Sequence, residues 1–252
     1  MIFRLARRRI ETRYRGSILG LSWVVIEPLA LLAIYTFVFS LVFHARWGTA
    51  DPTRGDFSLH LFSGLIIYSI FSETVNDSPE AVRAAESYVK QMVFPAEVLA
   101  WVSVYAALFK FLISSCLLLL WYRLGVGHLE LTALLFPVFV LPVILLTLGV
   151  TWFISALGVY FRDLGQLVGL GTMALLFLSP IFYPASSIPE RYQEIYFLNP
   201  FARILQMSNQ SFFDGVWPTS GELATVFLIG WAAAWIGYAW FMRLKSGFAD
   251  VL

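Results

Sequence analysis

Six long apolar stretches separated by short polar breaks constrain this chain more than any other feature. They lie at about 21–43, 57–75, 98–122, 131–159, 167–183 and 222–242. Each is close to the roughly 20 apolar residues that a helix needs to cross a bilayer. A segment surrounded by lipid must satisfy its own backbone hydrogen bonds, so such segments are helices unless a barrel closes. The chain is 59% hydrophobic and only 13% charged, against about 25% charged for soluble domains. That gap excludes a soluble core, and no polar stretch is long enough for a separate soluble domain. The expected fold is an all-α membrane protein with six transmembrane helices in a single domain over 1–252. Pro137 and Pro142 fall inside the fourth stretch and predict a kink or tilt there.

Lysine and arginine fix the expected orientation. With the N-terminus in the cytoplasm, eleven of them fall on the cytoplasmic side, five outside, and Lys110 within a span. The positive-inside bias then places both termini in the cytoplasm, which agrees with an even number of spans. The basic region from Arg4 to Arg15 and the long apolar run after it do not read as a cleavable leader. A net charge of +1 gives no field for nucleic acid.

Three segments between or before the spans have a pattern of their own. In 1–20, Ile2, Phe3, Ala6, Ile10 and Tyr14 share one helical face. Arg4, Arg7, Arg8, Glu11 and Arg15 share the other, as in a helix lying in the membrane interface against lipid phosphates. In 77–97, Ser78-Pro79-Glu80 reads as a helix start. Val82, Ala85, Val89 and Met92 follow as an apolar stripe, Glu86 and Lys90 pair at i,i+4, and Phe94-Pro95 ends the segment. In 186–221, Ser187 to Glu190 and Thr219 to Glu222 fit capping boxes, Asn199-Pro200 starts a helix, and Asp214-Gly215 marks a turn. The aromatic residues between these signals make short helices too apolar for a solvated loop and too short to span, which predicts an outer re-entrant helical hairpin.

Catalytic signals are missing. His44, His60 and His128 are scattered without metal-ligand spacing, and Cys116 stands alone in an apolar run as a small lipid- or helix-facing residue. There is no Gly-rich P-loop, so ATP is not bound by that route. The site expected on this chain therefore includes no catalytic residue and no metal. Lys110, near the middle of the third span, is costly there. It faces a partner, a subunit interface or a polar path, or makes a structural hydrogen bond. Glu27 and Glu73 sit near the cytoplasmic ends of their spans and read as side chains snorkelling to water.

Several blocks carry a resemblance. Arg13-Tyr14-Arg15-Gly16-Ser17-Ile18-Leu19-Gly20 precedes Ser22-Trp23 and Glu27-Pro28. Val93-Phe94-Pro95-Ala96-Glu97-Val98-Leu99 opens the third span, and Tyr160-Phe161-Arg162-Asp163-Leu164-Gly165-Gln166 joins the fourth and fifth. Ser179-Pro180-Ile181-Phe182-Tyr183-Pro184, Asn199-Pro200 and Phe248-Ala249-Asp250-Val251 follow. In order and spacing the chain resembles the membrane subunit of bacterial polysaccharide ABC exporters, within the type-two ABC permease family, over essentially its whole length. Those exporting O-antigen look most similar, and capsule and teichoic acid exporters are similar too.

The resemblance implies a homodimer in the bacterial inner membrane with two copies of a separate Walker-A ATPase subunit. It implies no cofactor on this chain, since Mg-ATP belongs to the partner. The cargo would be a polysaccharide on undecaprenyl pyrophosphate, moved from cytoplasm to periplasm. The N-terminal helix would lie along the interface, with Arg13, Tyr14 and Arg15 receiving the pyrophosphate. The first cytoplasmic loop would dock on the ATPase, with Val89, Lys90, Phe94, Pro95 and Glu97 as coupling residues. A sugar polymer needs a wet, aromatic-lined path; Tyr35, Phe39, Tyr183, Tyr192, Tyr196 and Phe201, with Lys110, are the candidates for that path or for the subunit interface. Two alternatives stay open: a type-two permease for another substrate, such as capsule, teichoic acid, a drug or a lipid, and an intramembrane polyprenyl-phosphate enzyme.

Overall fold

The computed structural model describes residues 2–14, 16–44, 47, 57–85, 95–125, 130–196 and 198–251, and among these every regular element is helical. Helix α1 is Ile2–Arg13. A single helical rod then covers Gly20–Val42, as a 3-10 turn, helix α2 (Trp23–Tyr35) and a π-helical end (Thr36–Val42). Next come α3 (Phe57–Ala81), α4 (Val98–Gly125), α5 (Phe136–Tyr160, entered through a 3-10 turn at Leu131–Leu135) and α6 (Leu164–Phe177). The chain ends with α7 (Glu190–Tyr196), α8 (Pro200–Phe213), α9 (Ser220–Lys245) and α10 (Phe248–Val251).

Among the described residues five helices are long and apolar enough to cross a membrane: Gly20–Val42, Phe57–Ala81, Val98–Gly125, Leu131–Tyr160 and Ser220–Lys245. The fifth apolar stretch of the sequence yields only the 14 residues of α6. Pro180 explains the early stop, because proline holds the preceding residue out of the helical region and donates no hydrogen bond. The freed carbonyls are used locally: Ser179 Oγ donates to Leu175 O at 2.7 Å, and Ser179 N donates to Leu176 O at 3.4 Å.

α3 is the central helix, with most of its length buried between α4, α5, α6 and α8. Leu61, Ile67 and Ile70 are fully enclosed in the main core. α5 and α9 form a second tight pair in which backbones nearly touch. A Cβ on Gly149 would run into the backbone of Ala233, and one on Gly237 into the carbonyl of Gly149. Small residues serve this purpose in lipid, where close van der Waals packing replaces the hydrophobic drive between helices. Gly158 likewise lets the end of α5 sit on the Pro79 backbone of α3.

One local expectation changes. Ser78-Pro79 does not start a helix; α3 runs through both residues to Ala81. Pro79 cannot donate to Val75 O, and Ser78 Oγ donates to that carbonyl instead at 2.6 Å, which lets the helix continue. The amphipathic segment expected beyond it falls largely on 86–94, outside the described residues. In 186–221 the two expected short helices form as α7 and α8. Asn199 accepts from Phe201 N at 3.0 Å, Gly215 has φ +71°, and Thr219 with Glu222 closes a capping box on α9. α8 is packed into the bundle: Phe201, Ile204, Leu205, Phe212 and Phe213 are each 2% exposed or less against α3, α5 and the turn before α5.

Candidate functional site

At the end of the bundle where α1 lies, ion pairs join four helices that are far apart in sequence. Arg9 Nη2 lies 2.6 Å from Asp77 Oδ2, and Arg13 Nη1 lies 2.9 Å from Glu73 Oε2. Lys110 Nζ lies 2.5 Å from Glu73 Oε1 and 3.1 Å from Glu27 Oε1. Arg9 and Arg13 are four residues apart, as are Glu73 and Asp77, so each pair shares one helical face. The crossed order, 9 with 77 and 13 with 73, makes α1 antiparallel to the end of α3. Glu73 bridges two cations, giving one oxygen to α1 and the other to α4.

This network explains how Lys110 is tolerated inside an apolar helix. Its side chain is 14% exposed and is matched by two carboxylates, from α2 and α3. A buried cation without such partners would not remain charged. Both carboxylates turn to Lys110, because α2 and α3 each border α4 at this level; this corrects the snorkelling expected of Glu73, whereas Glu27 stays 43% exposed and reaches water as well. For Arg13, burial works against the charge, but the field and hydrogen bond of Glu73 outweigh it and hold the guanidinium above its ordinary value. Burial also pushes the Tyr14 hydroxyl up, against the opposing influence of Arg13.

Behind α1 lies a cavity of about 650 Å³ between α1, α3, α4 and the turn at Arg83–Ala85. Ligand pockets fall in the range of about 300–1,000 Å³. Its charged wall comprises Arg8, Arg9, Arg13 and Lys110 with Glu73 and Asp77; Tyr14 adds a hydroxyl. Leu5, Ile10, Val24, Leu99, Val102, Ala106 and Phe109 supply an apolar lining. A polar head with an apolar tail fits such a wall.

The structure thus brings Arg13, Tyr14 and Lys110 together. Arg15, Val89, Lys90 and Phe94 lie outside the described residues. Pro95 is half-buried just before α4. Glu97 is held within the chain: Lys245 Nζ donates to its carboxylate at 2.7 Å, and Trp152 Nε1 donates to its carbonyl at 3.0 Å. The aromatic candidates are dispersed. Tyr35 and Phe39 are neighbours on the α2 rod, and Phe39 stacks on Phe57 at 5.1 Å, at the opposite end of the bundle. Tyr183 and Tyr196 lie 6.4 Å apart. Tyr192 is exposed, with the Arg191 guanidinium 4.5 Å over its ring. Phe201 is a core ring, 1% exposed, edge-on to Phe71 at 4.7 Å and Tyr68 at 5.7 Å. The residues that sequence reasoning missed are Arg9, Asp77, Glu73 and Glu27. For Arg9, Glu73 and Asp77 the available signal was two like-charged i,i+4 pairs, one basic with Arg13 and one acidic, on different helices; Glu27 belongs to neither pair.

The helices that build this cavity all fall within residues 2–213, which match the ABC-2 type transporter family. The chain belongs to the ABC-2 type transporter family. Similar proteins include the O-antigen export system permease protein RfbA of Klebsiella pneumoniae, 26% identical over 249 residues, covering 98% of this chain and 93% of the relative. RfbA of Myxococcus xanthus is 26% identical over 255 residues, covering 99% and 94%. The polysialic acid transport protein KpsM of Escherichia coli is 26% identical over 210 residues, covering 82% and 79%. Family membership makes this chain a membrane component of a transporter rather than an enzyme.

Proposed function

We propose that this chain is the permease subunit of an ATP-driven exporter that carries a polysaccharide on undecaprenyl pyrophosphate, O-antigen foremost, from the cytoplasm to the periplasm. The observation that carries the reading is end-to-end similarity: the RfbA relatives align over 98–99% of this chain and 93–94% of their own length. The shorter alignment with KpsM keeps capsule export as the second reading.

On this reading two copies of the chain sit in the bacterial inner membrane with two Walker-A ATPase subunits, which bind Mg-ATP. Each copy crosses six times with both termini in the cytoplasm. The 14 residues of α6 rise about 21 Å, so the fifth crossing is completed by the segment that follows. The α7–α8 region then forms the outer re-entrant unit. α1 lies along the cytoplasmic interface, and Arg13, Tyr14 and Arg15 receive the pyrophosphate as its lipid enters from the inner leaflet. The cavity of about 650 Å³ beside Arg13 supports this placement. The segment from Val89 through Lys90, Phe94 and Pro95 to Glu97 meets the ATPase. The ion pair from Glu97 to Lys245 gives motion there a route into α9.

The test is purification of the tagged chain in mild detergent from its native host, with the mass and identity of what co-elutes. Two copies with two Walker-A subunits are expected. Reproducible isolation without an ATPase, where a known exporter complex survives, sinks the exporter reading.

A further inference from the structure

The cavity behind α1 already contains an anion bound to its cations, and that anion belongs to the chain itself. Glu73 gives one carboxylate oxygen to Arg13 at 2.9 Å and the other to Lys110 at 2.5 Å. We propose that Glu73 is a resident stand-in for phosphate, and that a lipid-linked pyrophosphate exchanges for it on Arg13 and joins it on Lys110, whose ammonium has N–H donors for both. The inference rests on the export reading above and adds to it the inner cation, Lys110, and the competitor, Glu73.

Charge supports the assignment. Four cations and two carboxylates line the cavity, which leaves two positive charges in excess. A pyrophosphate diester carries about two negative charges, and its oxygens suit the planar fork of arginine. Arg8 also lines the wall and makes no ion pair among the described residues, so it is available to the second phosphate. Val24, Val102, Ala106 and Phe109 offer apolar contact to the first isoprene units of the tail.

The exchange has a mechanical result. Among the described residues two rungs, Arg9–Asp77 and Arg13–Glu73, tie α1 to α3 by charge. When Arg13 moves to phosphate, one rung opens and α1 is freer to swing. Glu73 keeps Lys110, so no carboxylate is stranded. Substrate arrival is thereby converted into movement of the helix that lies over it. Glu73 acts here as a positioning residue whose charge opposes binding.

The test uses the full chain in nanodiscs, with Cys116 replaced by serine and spin labels at Arg4 on α1 and Leu112 on α4. Binding is measured for undecaprenyl pyrophosphate, undecaprenol, phosphatidylglycerol and inorganic pyrophosphate. Undecaprenyl pyrophosphate is expected to bind in preference to the other three and to broaden the label separation. Glu73→Gln is expected to raise its affinity roughly tenfold by removing the competing charge and to broaden the separation before any ligand is added. Arg13→Gln and Lys110→Met are expected to lose binding. If Glu73→Gln leaves binding unchanged or weakens it while Arg13→Gln abolishes it, the exchange is wrong and pyrophosphate reception at Arg13 stands. If neither Arg13→Gln nor Lys110→Met affects binding, reception at this site is wrong as well. Equal binding of phosphatidylglycerol or inorganic pyrophosphate overturns the lipid-pyrophosphate assignment. Should Glu73→Gln fail to fold, Glu73→Asp, too short to bridge both cations, carries the same test with a smaller expected gain.

Discussion

Replacing Gly149 with alanine should separate α5 from α9. The added Cβ would meet the backbone of Ala233 and lie 2.7 Å from Ala234 N, and it faces backbone rather than a side chain that can rotate away. The reciprocal change at Gly237 meets the Gly149 carbonyl, and at Gly230 a Cβ would lie 2.8 Å from Pro142 O. Relief requires the helices to move apart by about 1 Å, a gap that forfeits a quarter to a half of each pair attraction along the seam. Overpacking costs about 1–3 kcal/mol, and rigid backbone neighbours put this case near the top of that range. Alanine's higher helix propensity returns about 1 kcal/mol. The net expectation is a loss of about 2 kcal/mol for Gly149→Ala, and a larger loss for Gly149→Val. Gly171→Ala and Gly221→Ala are the controls, since a Cβ at either meets nothing within 4 Å; they should be neutral or stabilising by up to about 1 kcal/mol. Reversible unfolding by SDS titration in mixed micelles, or steric trapping in bicelles, reads the difference. If Gly149→Ala behaves like the two controls, backbone contact does not hold this pair together.

Lys110→Met should destabilise the folded chain by about 2 kcal/mol, below the 3–5 kcal/mol typical of breaking a buried pair. Glu73 still has Arg13, and Glu27 is 43% exposed and can hydrate. Adding Glu73→Gln should recover part of that loss, and additive effects in the double-mutant cycle would deny the pairing. Thr219→Ala removes the reciprocal cap on α9 and should cost about 1 kcal/mol in the same unfolding assay. Glu97→Gln should loosen the contact among α4, α5 and α9. A change in the fluorescence environment of Trp152, bonded to the Glu97 carbonyl at 3.0 Å, should accompany it, and Lys245→Met should produce the same change.

Features set by neighbouring residues were legible in the sequence. The all-helical class follows from apolar length alone, and three of the five long helices begin at the expected residue, Phe57, Val98 and Leu131, and the other two within two residues of it. The starts of α8 and α9 were legible because Asn199 and Thr219 bond to groups two and three residues away. Ser78-Pro79 misled for a related reason. The same residues that begin a helix also continue one when the serine takes the carbonyl that proline leaves free, and only the path of the preceding turn decides between the two.

The charge network belongs to the other class. Lys110 could be recognised as costly, but its partners Glu73 and Glu27 lie 37 and 83 residues away. Each carboxylate sits near a helix end, where exposure to water satisfies it equally well. The same holds for α1. Its sequence determines an amphipathic basic helix, but the face that meets the bundle carries Arg9 and Arg13 because α3 presents Asp77 and Glu73 to it. Local periodicity settled which segments are helices, since apolar length and capping act within a few residues. The packing of α1, α2 and α4 around α3 settled which charges meet, since an ion pair depends on distance in space and not on separation along the chain.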